Sequence, residues 1–99
     1  VKTIYRGSVV KLTVWVRDEQ DQLVDPESIT GQIEPPGRPA EALTFEPAED
    51  DDGPIVGVYV ARYDTFDGPA GPYRWSARTT APKVYRESSF YVQARGVGN

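Results

Sequence analysis

Val9-Val10-Lys11-Leu12-Thr13-Val14-Trp15-Val16-Arg17 is the stretch whose reading decides the fold. Val10, Leu12, Val14 and Val16 take every second position, and Val9, Lys11, Thr13, Trp15 and Arg17 fill the positions between them. Side chains of a strand alternate between faces, so one set points to a core and the other away from it. Tyr73, Trp75 and Ala77 alternate in the same way with Arg74, Ser76 and Arg78. Clusters of Gly, Pro and Asp separate such runs along almost the whole chain. That pattern predicts a small all-β sandwich or barrel.

Outward from these stretches, residues 2–5 read as a short first strand ended by Arg6-Gly7, and residues 8–17 as the strongest strand. A polar turn at 18–22 leads to Leu23-Val24, and Asp25-Pro26-Glu27 makes another turn. Residues 28–34 form a strand with Ile29, Gly31 and Ile33 on one face, stopped by Pro35-Pro36-Gly37. Residues 41–46 return with Leu43 and Phe45 inward, and residues 49–53 form an exposed acidic loop. In the strand at 55–63 both faces are partly apolar; the Tyr59, Ala61 and Tyr63 face is taken as inward because Arg62 is then solvated. A long turn at 67–72, a strand at 73–79, a turn at 80–83 and a closing strand at 84–93 complete the chain. This is about seven strands and no helix, one antiparallel domain over residues 1–95 with a flexible tail at 96–99. The expected core is Val10, Leu12, Val14, Val16, Ile29, Ile33, Leu43, Phe45, Tyr59, Ala61, Tyr73, Trp75, Phe90 and Val92.

Ninety-nine residues bound this to one domain with one modest core. The chain has no Cys, so disulfides and thiolate metal sites are excluded, and no His, so the usual general base, zinc ligand and neutral-pH switch are missing. It also has no Met, even at position 1, which points to a removed initiator or a trimmed product. No apolar run approaches the roughly 20 residues that span a bilayer. Residues 1–6 lack the apolar segment of a signal peptide. Net charge is −4, distributed as +4 over residues 1–17, −11 over 18–61 and +3 over 62–99. An acidic middle between basic ends makes a dipole that can orient the domain against a partner or a copy of itself. On that reading the basic ends, with Lys2, Arg6, Lys11, Arg17, Arg86 and Arg95, face the partner.

No catalytic constellation is visible. Ser88-Ser89 and Thr79-Thr80 have no His beside them and no GxSxG elbow. A carboxylate pair for glycoside hydrolysis has little room for a cleft in a chain this short. Asp50-Asp51-Asp52-Gly53 invites a calcium reading, but consecutive acids diverge and the EF-hand spacing is absent, so a solvated loop is expected. Trp15 is outward by alternation and flanked by Lys11 and Arg17, and Tyr91 is opposite in parity to Phe90 and Val92. Trp, Tyr and Arg dominate contact hot spots. The candidate partner-contact set is therefore Trp15, Lys11, Arg17, Tyr85 and Tyr91; the competing reading covers Trp15 with a neighbouring strand such as the N-terminal one. Base stacking on these aromatics is disfavoured by the acidic balance and by only three lysines.

A series of short motifs runs in order through the chain: Ile4-Tyr5-Arg6-Gly7-Ser8-Val9-Val10, Leu23-Val24-Asp25-Pro26-Glu27-Ser28-Ile29, Ile33-Glu34-Pro35-Pro36-Gly37, Gly57-Val58-Tyr59-Val60-Ala61, Gly71-Pro72-Tyr73-Arg74-Trp75 and Phe90-Tyr91-Val92. Their order and spacing resemble the small immunoglobulin-like proteins encoded among the head and tail structural genes of tailed bacteriophages. The sequence departs from that outline at Ser8, where an acid is common, at the Pro-Pro-Gly turn and at the acidic stretch 49–52. The resemblance implies a seven-stranded immunoglobulin-like antiparallel β-sandwich. It implies a non-enzymatic structural protein in the virion, binding the major capsid protein as a decoration or cement protein or sitting at the head–tail junction with other virion proteins. A homo-oligomer is compatible with it, and no cofactor, metal, nucleic acid or membrane is implied. The same outline is similar to macroglobulin-type and bacterial cell-surface immunoglobulin-like modules. These imply an extracellular ligand-binding or adhesin role, gripping carbohydrate with Trp15 or Tyr85. Such modules lie within long chains, so a freestanding chain of this length favours the phage resemblance.

Overall fold

The alternating stretch forms β2 (Val9–Trp15), with Val10, Leu12 and Val14 buried and Val9, Lys11 and Trp15 exposed. In the computed structural model, which describes residues 2–66 and 68–94, β2 pairs antiparallel along its length with β6 (Gly53–Asp64). Leu12 lies opposite Ala61 and Val14 opposite Tyr59, so the inward residues of both strands share one face. β5 (Glu46–Asp50) pairs with the other side of β6 and completes a three-stranded sheet. The larger sheet has five strands in the order β1 (Lys2–Tyr5), β8 (Tyr85–Gln93), β7 (Gly71–Thr80), β3 (Ser28–Glu34) and β4 (Glu41–Leu43). The two sheets enclose one apolar core, to which β2 and β6 contribute from one side and β3, β4, β7 and β8 from the other. No helix occurs among the described residues.

Tyr73 is the largest fully buried side chain. Its ring stacks on Phe90, opposite it on β8, at 5.2 Å between centroids and 12° between planes. A buried phenol needs an acceptor, and the Tyr73 hydroxyl donates to the carbonyl of Pro69 at 2.8 Å. The turn that enters β7 therefore closes over the ring, and a Cβ on Gly68 would fall on the Tyr73 hydroxyl. Thr65, also fully buried, donates to the Ser8 carbonyl at 2.8 Å and accepts from the Gly7 N–H at 3.0 Å. These bonds join the turn after β6 to the turn before β2.

Asp25 makes the corresponding joint at the other end. Its carboxylate accepts from the Gly57 N–H at 2.9 Å and the Tyr59 hydroxyl at 3.0 Å. Gly57 has φ +77°, and a Cβ there would meet the backbone of Val24 and Val16, so only glycine fits. Thr79 secures the β7–β8 turn, donating to the Pro82 carbonyl at 2.7 Å and accepting from the Val84 N–H at 3.0 Å. Glu27 N–H donates to the Thr80 carbonyl, so the 16–27 connection, the β5–β6 turn and the β7–β8 turn share this end. Asp18, Glu19, Asp21, Asp25, Glu27 and Asp50–Asp52 are gathered here against Arg17 and Lys83. The charge blocks of the sequence thus become an acidic end of an elongated body, 50 × 31 × 20 Å.

Several expectations need correction. The described residues form eight strands, because residues 41–50 divide into β4 and β5 on different sheets. The acidic stretch is a hairpin arm rather than a loop: Glu49 and Asp50 pair with Pro54 and Gly53, and only Asp51 and Asp52 turn. One pairing is parallel, β1 with β8 over Phe90–Gln93. The Tyr face of β6 is inward as expected, yet Val58 and Val60 on its other face are buried too, flanked by Trp15, Thr13 and Glu46. Ile29 and Trp75 pack against the core but are only half-buried. Trp75 faces inward, but Ser88 and Arg86 follow Phe90 on the same face of β8, and the narrower sheet does not cover this corner. The expected tail at 96–99 lies outside the described residues.

Tyr73→Phe is expected to fold and to lose about 1–3 kcal/mol, read as a lower urea midpoint with unchanged m-value, because the Pro69 carbonyl loses its donor. Alkali tests the same core. Burial first, then the bond to Glu41, pushes the Tyr63 hydroxyl up to about 12, and burial likewise raises Tyr59 and Tyr73. The unfolded chain ionises its phenols near pH 10, before the folded one, so it binds fewer protons above that pH. Stability should hold up to about pH 10 and fall as pH rises toward 12, with these phenolates appearing as the chain unfolds.

Candidate interaction surfaces

Trp15 and Lys11 stand on the outer face of the smaller sheet. Cross-strand pairing builds rows of Lys11 with Arg62, Thr13 with Val60 and Trp15 with Val58. Trp15 is 51% exposed beside the covered Val58. Lys11, Glu46, Pro47, Val60 and Arg62 line a shallow groove of about 520 Å³ on this face. Its charged rim and apolar floor suit a polar-rimmed contact better than an enclosed ligand site. Arg17 lies just past β2, bridged to Leu23. Its guanidinium donates to the Asp21 carbonyl at 3.1 Å and stands 3.9 Å from the Asp21 carboxylate.

Tyr85 and Tyr91 lie on the outer face of the larger sheet, on the opposite side of the molecule. Here β7 and β8 pair Arg74 with Ser89, Ser76 with Glu87 and Arg78 with Tyr85, and β3 adds Glu34, Gln32 and Thr30 to the same rows. The Arg78 guanidinium sits 5.6 Å from the centre of the Tyr85 ring, and the Tyr85 hydroxyl donates to Glu87 at 2.8 Å. A cation over an exposed ring is worth about 0.5–1 kcal/mol, enough to restrict the side chain to one pose. Shallow hollows of about 190 and 240 Å³ flank Tyr85, both touching Gln32 and Ser76. Tyr91 is at the far end of β8, between Pro72 and Thr3.

The five candidate residues therefore do not form one patch: Trp15, Lys11 and Arg17 belong to one side, Tyr85 and Tyr91 to the other. A third feature lies between them. At the corner where the sheets fail to overlap, Thr13, Trp15 and Arg17 face Trp75, Arg86, Glu87 and Ser88 across a groove of about 400 Å³. Trp75 and Ser88 were not among the candidate contact residues, and Arg86 was expected to face a partner only as one of the basic residues at the chain ends. The available signal was parity: Phe90 and Val92 set the inward face of the last strand, and the apolar pattern fails at Ser88 and Arg86.

Among the described residues, no group of three or more His, Cys, Asp or Glu side chains is arranged to hold a metal. The carboxylate of Asp50 instead accepts the Asp52 N–H at 2.8 Å. Of the basic residues expected to face a partner, Arg6, Lys11, Arg17 and Arg86 are exposed, while the Lys2 side chain and Arg95 lie outside the described residues. No protein-family model matches the chain, and no curated protein shows significant similarity to it.

Two measurements check this geometry. Trp75→Ala should cost about 2–3 kcal/mol, below the full-burial range because the ring is half-exposed, whereas Trp15→Ala should cost under about 1 kcal/mol. Reversal of that order in denaturant titrations would contradict the placement of the two rings. Replacing Asp50, Asp51 and Asp52 together with Asn should change stability by no more than about 0.5 kcal/mol, since an Asn at position 50 keeps the acceptor for the turn.

Proposed function

We propose that the chain is an immunoglobulin-like binding module that serves as a non-enzymatic structural protein of a phage particle, held to the capsid or at the head–tail junction by non-covalent contacts. The observation that carries the fold part is the hydrogen bond from the Tyr73 hydroxyl, near the start of β7, to the carbonyl of Pro69 four residues upstream. This is the geometry of a tyrosine corner, a hallmark of immunoglobulin-like sandwiches. The strand order agrees with it. On this reading β2, β6 and β5 correspond to strands B, E and D, and β8, β7, β3 and β4 to G, F, C and C′, with β1 added in parallel to G.

The particle reading is supported by the ordered motifs, several of which meet in space. Asp25 of Leu23-Val24-Asp25-Pro26 bonds Gly57 and Tyr59 of Gly57-Val58-Tyr59. The mechanism is adhesion. A rigid sandwich presents two sheet faces with prepositioned aromatic and basic side chains, and repetition over a symmetric shell converts modest contacts into strong attachment. The second reading is a ligand-binding or adhesin module of a surface protein. It is favoured by Tyr85, whose ring is fixed on a flat polar face between Arg78 and Glu87.

Quantitative mass spectrometry of purified particles separates the two. The expected result is a fixed, symmetry-compatible ratio of this chain to the major capsid protein. Absence from particles, together with recovery from the surface of the producing cell, would replace the first reading by the second.

A further inference from the structure

We infer that the open corner between the edges of β2 and β8 receives an extended, acidic segment of a partner polypeptide, added as a strand along residues 85–89. The first observation is the unpaired edge. β1 pairs with β8 only over Phe90–Gln93, so among the described residues 85–89 have no neighbour on that side, and neither has the outer edge of β2. Alternate residues of such an edge direct N–H and C=O groups outward, which is the template for strand addition. An added segment would lie in line with β1 and span about five residues, some 17 Å at about 3.3 Å per residue.

The second observation is what lines the corner. Both tryptophans of the chain stand there, Trp15 from the outer face of one sheet and Trp75 from the inner face of the other. They are joined by Arg17 and Arg86, a composition typical of contact hot spots. The third is charge. Among the described residues the Arg86 guanidinium donates only to the Tyr85 carbonyl, and the single ion pair within 4.0 Å is the long one of Arg17 with Asp21. Glu87 also lines this groove, but it stands on the outer-facing parity of β8 and its carboxylate accepts the Tyr85 hydroxyl at 2.8 Å. A carboxylate on the inward side of an added strand would meet two guanidinium groups in a partly dry groove, where charge-assisted bonds are strongest.

A second copy of the chain is a poor occupant. Two-fold antiparallel pairing of this edge keeps inward residues opposite inward residues. Centred on Glu87 it opposes Glu87 to itself, and centred on Arg86 it opposes Arg86 to itself. Centred on Ser88 it runs into β1 at Phe90. Like charges directly opposite are destabilising. An inward charge on an edge thus rejects self-pairing and basic or wholly apolar segments while accepting an acidic one.

The inference rests on the chain being a binding module but not on its residence in a particle. The test uses the isolated chain, so its failure is distinct from absence in particle mass spectrometry. The probe is a capped seven-residue peptide with threonine at odd positions and valine, aspartate and valine at even ones. Controls carry lysine for the aspartate, or proline for the central backbone donor nearest it. The acidic peptide should shift the tryptophan emission to the blue and slow hydrogen exchange at the edge-facing amides of residues 85–89. The lysine form should bind at least tenfold more weakly, and the proline form should not bind. Arg86→Glu should reverse the preference between aspartate and lysine; Arg17→Glu serves the same purpose if that variant fails to fold. Equal binding of acidic and basic peptides, binding without protection at 85–89, no binding of the acidic peptide, or concentration-dependent dimerisation through this edge would each overturn the inference.

Discussion

A phenol buried at the centre of the core constrains most of what surrounds it. Tyr73 fills the space between the sheets with its ring against Phe90 and Tyr63, but its hydroxyl cannot be left without a partner there. The acceptor is the Pro69 carbonyl, so the turn before β7 must fold back over the ring. β7 is the middle strand of the five-stranded sheet, and its register fixes those of β8 and β3. The same turn begins at Thr65, whose hydroxyl ties it to Gly7 and Ser8 at the entry to β2. One satisfied hydroxyl in the core and one at its margin thereby hold both sheets at this end.

The opposite end is joined by different chemistry. Asp25 is exposed, yet its carboxylate gathers the Gly57 N–H and the Tyr59 hydroxyl and holds the long connection after β2 against β6. Asp18 and Asp50 brace only their own turns, Asp18 accepting the Gln20 and Gln22 N–H groups and Asp50 the Asp52 N–H, and the acids of this end are spread over three turns in water, where their mutual repulsion is small at physiological salt. Acidity there is compatible with the fold without being required by it, except at Asp25, which joins two elements, and at Asp18 and Asp50, which brace their own turns. The contrast separates a residue that a turn needs from residues that only set the surface potential.

Alternation made β2, β3, β7 and β8 legible, because a period of two states directly which side chains go inward. β5 was not legible. Glu46-Pro47-Ala48-Glu49-Asp50 has little intrinsic preference for a strand. Its pairing is imposed by β6, which extends beyond β2 and offers an edge to be covered. The exposure of Trp75 was hidden for a related reason. Parity correctly turns the ring inward, but how much of it is covered depends on where the opposite sheet ends. The orientation of Trp15 could be read locally, whereas its meeting with Trp75 could not, since the two have opposite senses on different sheets. The motifs behind the family resemblance are mostly structural joints: Gly7, Asp25, Gly57 and Tyr73 each complete a backbone connection. These joints speak for the fold; Tyr91 of the candidate contact residues and Trp75 of the open corner also lie within the motifs, whereas Lys11, Trp15, Arg17 and Tyr85 do not.

Unequal sheet width then determines where this molecule has exposed edges and how each is treated. β4 is three residues long, and β5 carries Pro47 and five carboxylates among its residues and its turn, with a bulge between Pro47 and Glu49. Both are ordinary ways of discouraging a neighbouring strand. β2 sets Lys11 in the middle of its edge strand. The upper part of β8 differs, because its charged residues stand beside two half-covered indoles instead of replacing them. Covering those rings would return apolar surface from water to a protein environment at about 25 cal/mol per Å². The charges decide which strand may do so. Edges that discourage a neighbouring strand and one corner whose charges would choose among strands are, on the inference drawn above, two uses of the same residue types.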